Sequence, residues 1–272
     1  MKLPSVNWPK GYRSAACLTF DLDAETHWIS KDPANARRPG VLSMGTYGPK
    51  VGVPLILDLL EESQIKATFF IPGWTAEKHP SVVQEISSAG HELAHHGYLH
   101  ESTEGLSRSQ EEAILRKGLK ILARFTTKPI VGYRAPSWDL TPNTLGLLRK
   151  HGLLYSSNLM DSLWPYRHSK GKEIIELPVQ WLLDDGPFFA YGTRPPLYRQ
   201  IYEPAAVFRA WREELIGIHE VGGLFNLTMH PQFMGRPSRI NMLRTLIGTI
   251  KKLRNVWIAP CREIATYIAR AI

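Results

Sequence analysis

The sequence predicts an α/β fold, with roughly seven β/α units closed, or nearly closed, into a barrel. Short apolar runs alternate along the chain with segments of helical periodicity, the pattern of a parallel sheet with crossover helices. That many alternations suit a barrel better than an open sheet. The 272 residues are an ordinary length for a single domain of this kind, taken as 1–272. A hydrophobic fraction of 43%, with 8 Trp, 10 Tyr and 9 Phe, provides for a large core.

Residues 15–23 read as the first strand. A stretch rich in Pro, Gly, Arg and Asn follows over 24–49, and reads as a loop long enough to be functional or to form an interface arm. Residues 51–62 form an amphipathic helix, 67–71 a second strand, and 80–89 a helix that Gly90 stops. A short third strand covers 92–95. The helix at 107–125 begins with Ser107 as its N-cap and Gln110 three residues on, as a capping box requires. A fourth strand spans 130–133, and Thr141 caps a helix that starts at Pro142 and runs to 151. Strands at 153–156 and 174–179 come next. Residues 204–221 are helical, 223–229 a buried strand, 238–253 a helix and 255–258 a last strand, before a closing helix to 272.

Composition narrows the function. The formal charge is +8, but the basic residues are scattered and no nucleic-acid motif accompanies them, so a solvated basic surface is expected. Cys17 and Cys261 lack metal-ligand spacing and suggest no disulfide. The first residues carry no apolar leader, and no apolar run is long enough to span a bilayer, so a soluble cytoplasmic protein without membrane partners is the expectation. No nucleophile elbow, P-loop, dinucleotide fingerprint or HExxH is present.

In a barrel the working residues stand at the carboxyl ends of strands. Those positions hold Asp21 and Asp23, then His96 and His100, then Arg134, Ser137, Trp138 and Asp139, and finally His230. His96 and His100 are four apart, and on one turn of helix both imidazoles would reach one ion. Asp23 would complete a ligand set of two histidines and one carboxylate, with positions left open for water. His91 and His95 form a rival pair; on a strand they share a face, and a hydrogen-bonded structural role is the simpler reading for His91, with His95 open. Asp21 and Asp23 point the same way, and two neighbouring carboxylates keep their charge best beside a cation. A surface ion pair competes as the explanation of Arg134, whereas His230 at the end of an apolar strand has few structural reasons to be there.

At these residues the chain resembles the polysaccharide deacetylase family, the NodB-homology carbohydrate esterases. Residues 19–23 (TFDLD), 96–100 (HGYLH), 134–138 (RAPSW) and 227–230 (LTMH) are similar to its motifs in order. The resemblance covers the chain from about residue 15 onward. It implies a distorted (β/α)7 barrel and one divalent cation, Zn2+-like with Co2+, Ni2+ or Mn2+ as alternatives, on Asp23, His96 and His100. It also implies Asp21 as general base, Arg134 as its orienting partner and His230 as general acid. Glu25, His95, Ser137, Trp138 and Asp161 complete the expected surroundings of substrate and metal, with Asp161 a loose match to the family's fourth-motif aspartate. A backbone N–H near Ser137 or Trp138 would help hold the oxyanion.

Departures from the usual pattern point to a branch that includes peptidoglycan-deacetylase-like proteins, allantoinase-like enzymes and cyclic imide hydrolases. Leu22 separates two aspartates that are usually adjacent, and Trp138 stands where Tyr is common. The resemblance implies a homo-oligomer that deacetylates an N-acetylated sugar or short glycan. Ring opening of a small cyclic imide or ureide is the alternative. A non-catalytic carbohydrate-binding role would predict a missing base or ligand, and none is missing.

Overall fold

The computed structural model describes residues 5–168, 173–192 and 201–271. Its strands are β1 (Ser14–Asp21), β2 (Thr68–Ile71), β3 (Glu92–His95), β4 (Gly132–Tyr133), β5 (Tyr155–Ser156), β6 (Tyr166–Arg167), β7 (Ile175–Glu176), β8 (Leu224–Met229) and β9 (Val256–Ile258). They form one sheet in the order β6-β7-β5-β4-β3-β2-β1-β8, with β9 beside the first half of β1. Every pairing is parallel except β6 with β7. The far edge curls back to β8: Leu224 N–H donates to Leu163 O at 2.8 Å, Asp185 N–H donates to Thr228 O at 3.1 Å, and Asp184 bridges Thr228. The sheet is thus a curled, nearly closed barrel with helices outside, as expected.

Alternation along β1 explains what lies inside and outside. Ala16, Leu18, Phe20 and Leu22 face the helical layer with Phe69, Leu93 and Leu227. Ala15 and Cys17 face the interior with Phe70, Ala94 and Leu224. The interior set continues upward as Thr19, Asp21 and Asp23. Cys17 and Cys261 are buried free thiols. No helix among the described residues is long and apolar enough to cross a membrane.

The largest departure from expectation is the stretch 24–49, which is not a loop. It folds as the helix Thr26–Ile29, the 3-10 helix Pro33–Arg37, the helix Pro39–Tyr47 and the wide turn Gly48–Gly52, which runs into the helix Val53–Glu62. The prolines mislead because each stands in the first turn of its helix, where no backbone N–H is needed. Gly45 is there for contact: a Cβ would lie 2.6 Å from Glu25 Cα. Tyr47 anchors the segment by donating to Gly235 O at 2.9 Å.

Smaller corrections follow from local geometry. Ser107 and Gln110 do form the capping box, on the helix Arg108–Leu122. The helix expected from Pro142 begins instead at Thr144, because Thr141 makes a preceding turn and donates its hydroxyl to Glu111 at 2.6 Å. The helix Gly73–Lys78 and the β6–β7 hairpin were not anticipated. The strands expected at 153–156 and 174–179 shrink to two residues each. The closing helix is Cys261–Ala271, and its expected end at 272 lies outside the described residues.

Candidate metal centre and catalytic groups

Six of the residues singled out from the sequence converge where β1, β3, β4 and β8 end. Asp21 closes β1 and Asp23 lies just beyond it, both buried. His96 Nε2 is 3.4 Å from Asp23 Oδ1 and 3.8 Å from Asp21 Oδ2. His100 Nε2 is 3.7 Å from Asp23 Oδ2, and His230 Nε2 is 3.6 Å from the same oxygen. Arg134 Nη1 donates to Asp21 Oδ1 at 2.8 Å.

The pair at 96 and 100 is not on a helix. It spans an irregular turn with Gly97 at φ 74° and His100 at φ 58°, both left-handed. The turn still brings the two imidazoles together, with ring centroids 5.2 Å apart. His96 Nδ1 donates to Arg134 O at 2.7 Å, which turns Nε2 toward Asp23. One ligand atom each from Asp23, His96 and His100 lies within 4.8 Å of the other two. Asp23 Oδ1 is buried with no hydrogen-bond partner. A buried carboxylate oxygen left unpaired beside two imidazole Nε2 atoms fits a divalent cation of the Zn2+ kind.

Electrostatics differ among the three residues. Burial pushes Asp23 up, but His100, His27, His96 and His230 together outweigh it and hold the carboxyl well below its ordinary value. Burial, helped by His96, His27 and Lys31, brings His100 down to about 3 against the pull of Asp23. Burial also opposes protonation of His96, yet Asp21 and Asp23 raise it above the ordinary value.

The Arg134 guanidinium is wholly buried. Besides Asp21 it donates to Thr19 Oγ1 at 2.8 Å, Ser157 Oγ at 2.9 Å and Ser157 O at 3.3 Å, and it lies 4.1 Å over the Phe70 ring. It is a fixed part of the interior, not a surface ion pair.

Two carboxylates escaped the sequence reading. Asp185 accepts from the His230 backbone N–H at 2.9 Å and from His230 Nδ1 at 2.6 Å. Asp184 Oδ1 is 3.7 Å from His230 Nδ1 and accepts from Gly186 N at 2.6 Å. These three residues also lie close enough to share an ion, but His230 already occupies both Asp185 oxygens. Burial disfavours a charged His230, yet Asp185 and Asp184 outweigh it and raise the ring well above its ordinary value. Burial, reinforced by Asp185, pushes Asp184 up to about 7. The signal available was an acid pair and Gly186-Pro187 closing an apolar run. A 3-10 turn, Trp181–Leu183, precedes it and hides the strand-like approach.

Other expected neighbours stand apart. Asp161 is exposed and accepts from Tyr166 OH at 2.8 Å, so it is not the carboxylate on His230. Glu25 turns to His79, 2.8 Å from its Nε2. His95 faces the helical layer, donating to Leu115 O and accepting from Gly97 N, each at 3.1 Å, and burial brings it down to about 3. His91 accepts from Ala67 N at 3.1 Å. The rival pair does share a face, but the outward one. Ser137 and Trp138 form a left-handed turn at φ 55° and 59°, and the Trp138 N–H is spent on Ala135 O. Trp138 packs against the half-exposed Trp181 with centroids 4.5 Å apart and the rings tilted by 34°.

Comparisons with known proteins bear on this geometry. The family model described as polysaccharide deacetylase matches residues 41–156. A Mycobacterium smegmatis crystal structure assigned to the polysaccharide deacetylases is 41% identical, with TM-score 0.93, over 99% of this chain and 95% of that one. A peptidoglycan deacetylase of Helicobacter pylori is 28% identical over 90% of this chain and 92% of that protein. An allantoinase structure at 22% identity shares the fold, with TM-score 0.84 over 98% and 93% of the two chains. The chain belongs to the polysaccharide deacetylase family, and with it to the hydrolases that act on carbon–nitrogen amide bonds.

Proposed function

We propose that the protein removes acetyl groups from N-acetylated sugar units of a glycan or glycan fragment, using a divalent cation held by Asp23, His96 and His100. The observation that carries this reading is the unpartnered buried Asp23 Oδ1 beside two imidazoles, flanked by Asp21 on Arg134 and by His230 on Asp185. Similarity to a peptidoglycan deacetylase along nine-tenths of both chains supports the N-acetylglycan substrate. When bound, the cation lowers the pKa of a water molecule and polarises the substrate carbonyl.

The chain's own residues do the rest. Asp21, aimed by the hydrogen bond it accepts from Arg134, takes the proton of the attacking water. His230 turns Nε2 toward the site while Asp185 holds Nδ1–H, so a protonated ring is ready to give its Nε2 proton to the departing nitrogen. Without that proton an amine leaves poorly. The exposed Trp181, packed against Trp138, offers an apolar face for a sugar ring.

One observation favours the second reading, ring opening of a small cyclic imide or ureide. The helical segment 26–52 packs against residues 231–235 and walls the His230 side of the site. The test is a hydrolysis screen of Zn2+-loaded protein with N-acetylglucosamine oligomers, succinimide and allantoin. Acetate release from the oligomers as the fastest reaction is expected. Faster ring opening would hand the site to the second reading, and inertness toward all three would defeat both.

A further inference from the structure

Asp23, His27 and Lys31 are spaced four residues apart around the helical turn Thr26–Ile29, so their side chains run along one side of it. His27 Nδ1 lies 3.3 Å from Asp23 Oδ2, and Lys31 Nζ lies 2.9 Å from His27 Nε2. An ammonium has only protons to offer, so Nε2 must be the acceptor and carries none. The ring is therefore neutral, with its one proton on Nδ1, and donates that proton to Asp23. It has no lone pair left to coordinate an ion. Packing fixes its plane: the ring meets Phe233 edge-on, with centroids 5.3 Å apart at 85°, and Trp28 at 4.8 Å. The Asp23 backbone is pinned as well, its carbonyl accepting from Thr26 Oγ1 at 2.7 Å and Thr75 Oγ1 at 2.9 Å.

Asp23 thus has one oxygen engaged from behind and the other, Oδ1, buried without a partner. We propose that His27, locked in its Nδ1–H form by Lys31, is the positioning residue for the metal ligand Asp23. It occupies Oδ2 and so presents Oδ1 to the cation. The proposal rests on reading Asp23, His96 and His100 as the metal ligands. A hydrogen bond behind a ligand of this kind changes metal affinity by about 10–100-fold. The ammonium of Lys31 selects the tautomer, so a residue on the surface governs a contact inside the site.

The experiment measures Zn2+ affinity of the metal-stripped full chain by competition with a chelator, alongside the nitrogen chemical shifts of His27 in the same metal-free protein. The wild type is expected to bind Zn2+ and to show a protonated Nδ1 at His27. His27→Phe keeps the ring packing and is expected to weaken binding by about 10–100-fold, whereas His27→Asn restores an N–H near the Nδ1 position and most of the affinity. Lys31→Met, on an exposed position that leaves the packing intact, is expected to weaken binding and to admit the Nε2–H tautomer. His27→Phe and Lys31→Met proteins that both bind within about twofold of wild type overturn the proposal while leaving the metal centre standing. A wild-type Nε2–H tautomer does the same. A wild type that binds no Zn2+ overturns the metal centre itself, and the proposal with it.

Discussion

Replacing Arg134 with Met tests how the catalytic interior is held together, without reference to any metal. The guanidinium is fully buried and its four hydrogen bonds go to Asp21, Thr19 and Ser157. Methionine fills much of the same volume over Phe70 but returns none of those bonds. The dominant loss is the charge left behind, because Asp21 is buried and its next cationic neighbour, His96, is 3.8 Å away. Removing one partner of a buried ion pair costs about 3–5 kcal/mol, much of it the cost of the orphaned charge.

The assay is urea unfolding of the metal-stripped protein, followed by tryptophan fluorescence. Arg134→Met is expected to lower stability by about 3–5 kcal/mol. Combining it with Asp21→Asn removes the orphaned carboxylate and is expected to recover about 2 kcal/mol of that loss. A single variant that costs less than about 1 kcal/mol, or a double variant no more stable than the single one, would refute the reasoning.

Three other outcomes are expected. Asp21→Asn should keep bound Zn2+ and lose roughly 10²–10⁴-fold in turnover, by metal analysis and acetate release; metal loss there, with retention in Asp23→Asn, would exchange the two roles. Gly45→Ala sets a Cβ 2.6 Å from Glu25 Cα and should cost about 1–3 kcal/mol, read as a lower urea midpoint. Burial, helped by Lys66, brings His91 down to about 4, below its unfolded value of about 6.5. Its neutral form therefore stabilises the fold above pH 6.5, and that contribution, at most about 3 kcal/mol, is lost as pH falls toward 4. His91→Asn keeps an acceptor for Ala67 N but cannot titrate, so its urea midpoint should fall less than that of wild type between pH 7 and pH 5.

How much was legible depended on whether the backbone repeats. β1 and β8 are long enough for a pattern, and both were placed to within two residues. β4, β5 and β7 have two residues each, too few for any periodicity, so their expected lengths came from apolar runs and overshot. Over 24–52 the failure had another cause. Proline and glycine read as helix breakers, but Pro33 and Pro39 open their helices and Gly45 admits a neighbouring backbone, a reason visible only in three dimensions. Asp184 and Asp185 were missed because they end an irregular segment joined to β8 by a single bridge.

The polar site is readable where it is because each long strand changes character along one face only. On β1 the interior face runs Ala15, Cys17, Thr19, Asp21 and, just beyond the strand, Asp23, while its outer face stays apolar to Leu22. On β8 the interior face runs Leu224, Asn226, Thr228 and then His230, while Phe225, Leu227 and Met229 stay outside. β3 does the same with Glu92, Ala94 and His96 against Leu93, its outer face ending at His95. A shift of one residue would send Asp21 and Asp23 into the helical layer and Phe20 and Leu22 into the site, so the alternation that builds the core also fixes which carboxylates and imidazoles meet. The same argument removes His91 and His95 from the chemistry. Their spacing matches that of His96 and His100, but odd and even positions of one strand lead to opposite sides of the sheet.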